Sequence, residues 1–261
     1  MAGADPAAPE VIAGADLRQL PRRARVLDVV LALAALPFAA AVGSVFALAV
    51  LLDSPGPIFY RSLRVGRHGR PFLMLKFRTM RHDVPGPPLT VAGDERYTPV
   101  GRWLAARRFD ELPQLWNVLR GEMRLVGPRP EIEEFVQAYA AEYAEILTVP
   151  PGLTGPTQLA YAEEGHLLAD VVDRQTFYRQ SILPEKIAID LSYIAWPGVL
   201  ADLLILARTA ALPIARAHRR LRGLAAQGGV VAPRSVYSAV GLVVALVAFL
   251  ALFLFSAVSP P

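Results

Sequence analysis

The stretch VLDVVLALAALPFAAAVGSVFALAVLL, residues 26–52, decides how this chain is built. It carries one charge, Asp28, and is long enough to enter or cross the roughly 30 Å hydrocarbon core of a bilayer. Pro37 and Gly43 interrupt it, and a proline inside a helix removes a backbone hydrogen bond and bends the axis. Arg22, Arg23 and Arg25 precede the stretch, while Arg61, Arg64, Arg67 and Arg70 follow it. A spanning helix leaves its flanks on opposite sides, and arginine-rich flanks favour the cytoplasm. Two basic flanks therefore suit a re-entrant helix over residues 22–54 that enters and leaves on one side. Spanning helices also carry prolines, so the residues alone leave both topologies open. A secretory signal does not fit, because the apolar run is too long and no clear small-residue cleavage site follows.

A second apolar run, residues 236–258, contains no charge. Arg216, Arg219, Arg220, Arg222 and Arg234 come before it and only Ser259, Pro260 and Pro261 after it. This pattern predicts a basic linker over 216–234 and a transmembrane helix over 235–258, with the C-terminus outside. The two runs explain the composition: 54% of the 261 residues are hydrophobic and 19% charged, against about 25% charged in soluble domains. There is no cysteine, which excludes disulfides, thiolate metal sites, iron–sulfur clusters and a cysteine nucleophile. The net charge is +4, and arginine supplies nearly all the positive charge because Lys76 and Lys186 are the only lysines. Arginine's planar fork suits phosphate oxygens. A nucleic-acid partner is not expected, since the arginines gather beside the apolar runs with no basic–aromatic stripe.

Residues 55–215 read as a compact polar domain. The stretch Pro71 to Met80 alternates as a strand does, which would put Lys76 and Arg78 on one face. Residues 84–88 form a loop by composition, Pro99 to Leu119 and Glu131 to Leu147 read as helices, and 149–156 as a rigid connector. Pro184 to Ala215 mixes apolar residues with Asp190, Asp202 and Arg208 and reads as an interfacial or core helix. Residues 1–21 make a disordered tail, and Gln227-Gly-Gly229 a hinge.

The chemistry-bearing residues concentrate in Arg107-Arg-Phe-Asp-Glu-Leu-Pro-Gln-Leu-Trp-Asn117 and Leu125-Val-Gly-Pro-Arg-Pro-Glu131. One reading makes Asp110 a helix N-cap and Glu111 a first-turn acid. The other makes Asp110 a nucleophile toward phosphorus, with Glu111 beside it as a ligand of Mg2+, which needs only one or two carboxylates plus phosphate oxygens and water.

Four segments in order, Lys76-Phe-Arg-Thr-Met80, Asp110-Glu-Leu-Pro-Gln114, Leu125-Val-Gly-Pro-Arg-Pro130 and Pro151-Gly-Leu-Thr-Gly155, resemble those of the bacterial sugar transferases. These are monotopic polyprenol-phosphate phosphoglycosyl transferases. Gly56-Pro-Ile-Phe-Tyr60, Asp190 and Tyr193 also look like the family's pattern, and the likeness runs from about Arg22 to Thr209. The resemblance implies that Asp110 attacks the sugar-bearing phosphate of a nucleotide diphosphate sugar, usually UDP-linked. Polyprenol phosphate then takes the phosphosugar from the aspartate, starting glycan or exopolysaccharide assembly. It implies Mg2+ at Glu111 with Asp110 alongside, and Lys76 and Arg129 on phosphate oxygens. Arg78 and Gln158 are further candidates for substrate binding. It also implies the re-entrant topology, at the bacterial inner membrane with the active site on the cytoplasmic face.

The fold expected is therefore an α+β membrane protein. A mostly helical cytoplasmic catalytic domain with a short β element would sit between the re-entrant helix and the C-terminal transmembrane helix. The bilayer, the nucleotide diphosphate sugar and polyprenol phosphate are the expected partners. A second copy of the chain and later glycosyltransferases are further candidates. Two alternatives are a non-catalytic membrane adaptor of a glycan-assembly complex and a lipid-linked phosphatase that uses the same aspartate. Three departures from the family stand out. Ala105 occupies the place of a common arginine, which leaves Arg107 or Arg108 to replace it. Gly121-Glu-Met-Arg124 replaces Gly-Asp-Met-Ser, and the last apolar run lies outside the pattern.

Overall fold

A computed structural model describes residues 22–84, 86, 89–91, 93–162, 164–169 and 171–226. The expected tail, hinge and C-terminal helix over 235–258 lie outside the described residues, as do residues 227–234 of the expected 216–234 linker. The chain divides into two compact units, one ending at Asp202 and the other beginning at Leu203.

Helix α1 runs from Arg22 to Asp53 without interruption, with Pro37 inside it. Among the described residues it is the one helix long and apolar enough to cross a membrane. Its outer face leaves Leu33, Phe38, Val45, Leu48 and Leu52 exposed. That apolar face is compatible with membrane association.

Strands β1 (Phe59–Val65) and β2 (Pro71–Phe77) form an antiparallel hairpin in which Tyr60 pairs with Lys76 and Leu63 with Leu73. The strand read over 71–80 thus stops at Phe77, and Arg78 bends toward α1 instead of sharing a face with Lys76. Helix α2 (Pro99–Arg107), a 3-10 turn (Phe109–Glu111) and α3 (Gln114–Arg120) replace the single helix expected over 99–119. Two residues impose the break. Arg108 takes a left-handed backbone (φ 59°, ψ 21°) that closes α2, and Pro113 brings no N–H to continue a ladder. Asp110 consequently does not cap α3, whose N-cap position is Pro113 with no side-chain bond.

Strand β3 (Arg124–Val126) leads into α4 (Glu133–Ala138) and α5 (Ala140–Ile146), split at Tyr139 where one helix was expected. Tyr139 leaves the helical region (φ −134°, ψ 48°), and its hydroxyl donates to the Arg179 carbonyl at 2.7 Å. Strand β4 (Gly152–Thr154) pairs in parallel with β3. The two motif glycines make this close approach tolerable, because a Cβ on Gly152 would collide with the backbone of Gly127. Short helices α6 (Pro156–Ala160), α7 (Glu164–Leu167) and α8 (Arg174–Phe177) follow. A π turn then leads into α9 (Leu183–Ala195), and α10 (Val199–Ala226) comes after Trp196, Pro197 and Gly198. The expected helix over 184–215 is thus two helices, and the first part of the 216–234 linker continues α10.

Among the described residues, two apolar clusters organise the first unit. Phe135, Tyr143, Ile146, Leu168, Tyr178, Leu183 and Ile187 form the larger one. Val50, Phe77 and Leu104 form the other, with Phe46, Phe109 and Leu112 packed against them. Polar clamps hold both ends of α1 to this unit. Arg25 donates to the carbonyls of Val118 (2.6 Å) and Leu119 (3.0 Å). Buried Arg124 joins Asp28 of α1 to Asp202 of α10, each at 2.8 Å, and the Tyr193 hydroxyl donates to Asp202 at 2.6 Å. At the other end, Arg78 donates to the carbonyls of Val50 (3.2 Å), Ser54 (2.7 Å) and Pro55, while Asp53 accepts the Val100 N–H at 3.1 Å.

Candidate active site

The 3-10 turn that carries Asp110 and Glu111 is anchored from both sides. Phe109 stacks on Phe46 of α1 at 5.3 Å between ring centroids, and Leu112 packs into the same apolar cluster. The two carboxylates between these anchors are buried, each about 8% exposed. Buried carboxylates remain charged only where cations meet them.

Three cations do so. Lys76 of β2 places Nζ 3.1 Å from Glu111 Oε1 and 4.0 Å from Asp110 Oδ2. Arg129 reaches Glu111 Oε1 at 3.5 Å and Arg108 reaches Oε2 at 3.8 Å. Burial works against ionisation at Glu111, but Lys76, Arg129 and Arg108 overcome it and hold this carboxyl down at about 2. At Asp110 burial dominates. It raises the carboxyl above its ordinary value, assisted by the charge on Glu111 and opposed chiefly by Lys76. Two neighbouring acids thus differ in character: the surrounding cations favour the ionised form of Glu111, while burial makes Asp110 the more basic of the pair.

Arg129 stands on a rigid loop. The Gly127 N–H donates to Thr154 O at 2.9 Å and the Gly152 N–H to Pro128 O at 2.8 Å, which extends the β3–β4 pairing around the motif prolines. Asp190 of α9 accepts the Arg129 backbone N–H and also the Thr157 hydroxyl, joining the Arg129 loop to α6. Burial pushes Asp190 up to about 7. Behind the loop, Glu131 accepts from the Tyr178 hydroxyl at 2.9 Å, and Lys186 donates to that hydroxyl at 3.0 Å and to Glu164 at 2.8 Å.

Lys76, Asp110, Glu111 and Arg129 therefore converge as their sequence segments suggested. Arg78 does not join them, because its guanidinium caps the C-terminal carbonyls of α1. Gln158 adjoins the site through its backbone carbonyl, which accepts from Arg108 at 3.4 Å, while its buried amide donates to Gly152 O at 3.3 Å. Sequence reasoning gave no role to Asp190 or Thr157, which sit behind the site. It singled out Arg108 only as one of two alternatives to the missing arginine. The structure separates them: Arg107 lies over the Trp103 ring at 4.4 Å, whereas Arg108 reaches Glu111. A cavity of about 360 Å³ lined by Ala138, Tyr139, Thr176, Arg179 and Gln180 involves none of these residues.

No group of three His, Cys, Asp or Glu side chains converges among the described residues. The donor set suits a cation that takes one or two carboxylates and completes its shell with phosphate oxygens and water. Mg2+ binds in that way.

The chain matches the family model of the bacterial sugar transferases over residues 21–216. The chain belongs to that family. Among curated relatives of this sugar transferase is the UDP-glucose:undecaprenyl-phosphate glucose-1-phosphate transferase of Caulobacter vibrioides, 42% identical over 192 residues, covering 72% of this chain and 68% of the relative. The UDP-N-acetylgalactosamine-undecaprenyl-phosphate N-acetylgalactosaminephosphotransferase of Aeromonas hydrophila is 34% identical over 71% of this chain and 42% of its own. The exopolysaccharide production protein PSS of Rhizobium leguminosarum bv. phaseoli is 34% identical over 74% of this chain and 95% of its own.

Proposed function

We propose that this sugar transferase moves a sugar 1-phosphate from a UDP-sugar to undecaprenyl phosphate, with Asp110 as the covalent carrier. The observation that carries the reading is the buried Asp110–Glu111 pair rimmed by Lys76, Arg108 and Arg129. An Asp110 oxygen attacks the sugar-bearing phosphorus, the bond from that phosphorus to the bridging oxygen breaks, and UMP leaves with the electron pair. An oxygen of undecaprenyl phosphate next attacks the same phosphorus. The acyl-phosphate bond breaks, and Asp110 regains its carboxylate as the lipid diphosphate sugar forms. Lys76 stabilises the ionised nucleophile, and Arg129 holds phosphate oxygens in a fixed orientation. Glu111 and Asp110 would hold Mg2+, whose chemistry is to offset charge on the diphosphate.

The lipid acceptor places this reaction at headgroup depth. The clamps at Arg25 and Asp28 and those at Val50 and Asp53 fasten both ends of α1 to one folded unit. That arrangement supports entry and exit on the cytoplasmic face rather than a straight crossing. The run at 235–258 would cross the bilayer separately. Purified protein with undecaprenyl phosphate, Mg2+ and UDP-glucose or UDP-N-acetylgalactosamine should release UMP. Asp110→Asn should abolish release and the trapping of a phosphosugar on the protein. Release by Asp110→Asn at the wild-type rate would reject Asp110 as carrier.

A further inference from the structure

The β1–β2 hairpin has two unlike faces. Arg61 pairs with Leu75 and Leu63 with Leu73, and alternate residues of a strand share a side, so Phe59, Arg61, Leu63, Leu73 and Leu75 lie on one face. On the other face Ser62, Phe72 and Met74 are buried, and Lys76 reaches Asp110 and Glu111. The first face leaves Phe59 45%, Leu63 60% and Leu73 48% exposed. An antiparallel hairpin packed on one face normally turns polar residues outward, so this apolar row points to a partner. The row is held firmly. At the turn, the His68 N–H donates to Leu147 O at 2.8 Å and the Arg67 side chain to Thr148 O at 2.9 Å. Along β2, Asn117 donates to Leu73 O at 2.8 Å and accepts the Leu75 N–H at 3.0 Å.

Two observations identify the partner. The exposed face is continuous with α1: Phe59 stacks on Phe77 at 5.5 Å between centroids, and Phe77 meets Phe46 of α1 edge-on at 6.3 Å. A Cβ on Gly43 of α1 would also touch the Phe77 ring. The second observation is charge. Between Asp53 and Asp83 the chain has no acidic residue but seven arginines and lysines. Arg61 stands within the apolar row, exposed, and makes no ion pair among the described residues. Apolar side chains interleaved with arginine and free of acid fit the headgroup boundary of an anionic bilayer. There the apolar groups meet acyl chains and the guanidinium meets lipid phosphate. A second copy of the chain would bring the same acid-free face and repel it.

We propose that the exposed face of the β1–β2 hairpin is a second membrane contact, seated on the headgroup region of an anionic bilayer beside α1. A helix alone leaves the domain free to turn about the helix axis, and a second contact fixes that rotation. Strand β2 then has lipid on one face and, through Lys76, the carboxylate pair on the other. The thickness of one strand separates the bilayer surface from the site.

The inference rests on the placement of α1 in the membrane proposed above. The chain has no cysteine, so single cysteines can be labelled cleanly. Leu63→Cys and Leu73→Cys report on the hairpin and Leu48→Cys on α1, all three at exposed positions that tolerate substitution. Each full-length variant carries a solvent-sensitive fluorophore in vesicles of phosphatidylethanolamine and phosphatidylglycerol. Labels at 63 and 73 should be quenched by a nitroxide-bearing lipid and shielded from aqueous iodide, as at 48. Replacing phosphatidylglycerol by phosphatidylcholine should weaken the lipid quenching at 63 and 73 and leave 48 unchanged. Iodide quenching at 63 and 73, with lipid quenching at 48, overturns the hairpin contact and leaves the reading of α1 intact. Absence of lipid quenching at 48 overturns both. Labels at 63 and 73 shielded from both quenchers, with disulfide cross-links between unlabelled copies, assign the face to a second copy and overturn the inference. Quenching that ignores phosphatidylglycerol overturns the part given to anionic lipid.

Discussion

Replacing Arg124 by methionine should cost about 3 kcal/mol of stability, because it leaves two buried carboxylates facing each other without their shared cation. The side chains of Arg124, Asp28 and Asp202 are 7%, 4% and 7% exposed, so water cannot substitute for the guanidinium. Removing one partner of a buried pair typically costs about 3–5 kcal/mol. The lower end applies here because the Leu125 N–H still reaches Asp28 and the Tyr193 hydroxyl still reaches Asp202. For a domain of this size about 3 kcal/mol lowers the melting temperature by roughly 6–12 °C. Thermal unfolding in one detergent, followed by tryptophan fluorescence, reads that shift. The triple variant Asp28→Asn, Arg124→Met, Asp202→Asn removes every charge of the cluster and should recover most of the loss. A melting temperature unchanged in Arg124→Met would refute the reasoning, as would a triple variant no better than the single one.

Arg78→Ala should lower stability by about 2 kcal/mol through the uncapped α1 carbonyls while leaving the donor KM unchanged, measured by unfolding and UMP release side by side. Lys76→Met removes the chief cation that opposes burial at Asp110, so the acid limb of the UMP-release profile should move to higher pH. Asp190 rises from an ordinary 3.8 to about 7 in the folded chain. Its contribution to stability is complete below 3.8 and is lost as pH rises toward 7, because the folded state holds the proton that the unfolded state releases. Asp190→Asn, which mimics the protonated form, should flatten the stability profile across that interval in pH-dependent unfolding.

The long helix was legible because an apolar run of this length admits few alternatives, and Pro37 did not end it. The breaks within the polar domain were not legible. Nothing in the periodicity of residues 99–119 announces a left-handed arginine, and Tyr139 leaves α4 at a residue that is neither glycine nor proline. The convergence of Lys76, Asp110, Glu111 and Arg129 came from three separated segments, and no single one contained it. Arg78 was misplaced because strand alternation was carried past Phe77, where the strand ends. Arg124 registered in the sequence only as a departure from Gly-Asp-Met-Ser. Its partners lie 96 and 78 positions away, beyond any local pattern.

The ring stack of Phe46 on Phe109 has a mechanical consequence. The residue that precedes Asp110 leans directly on α1, so axial displacement of that helix is delivered to the peptide bond next to Asp110. With α1 in the bilayer and Asp110 as carrier, as proposed above, lipid thickness and lateral pressure become inputs to the reaction geometry. Turnover would vary between bilayers of different thickness even with saturating substrate, and a smaller side chain at position 46 would weaken that dependence.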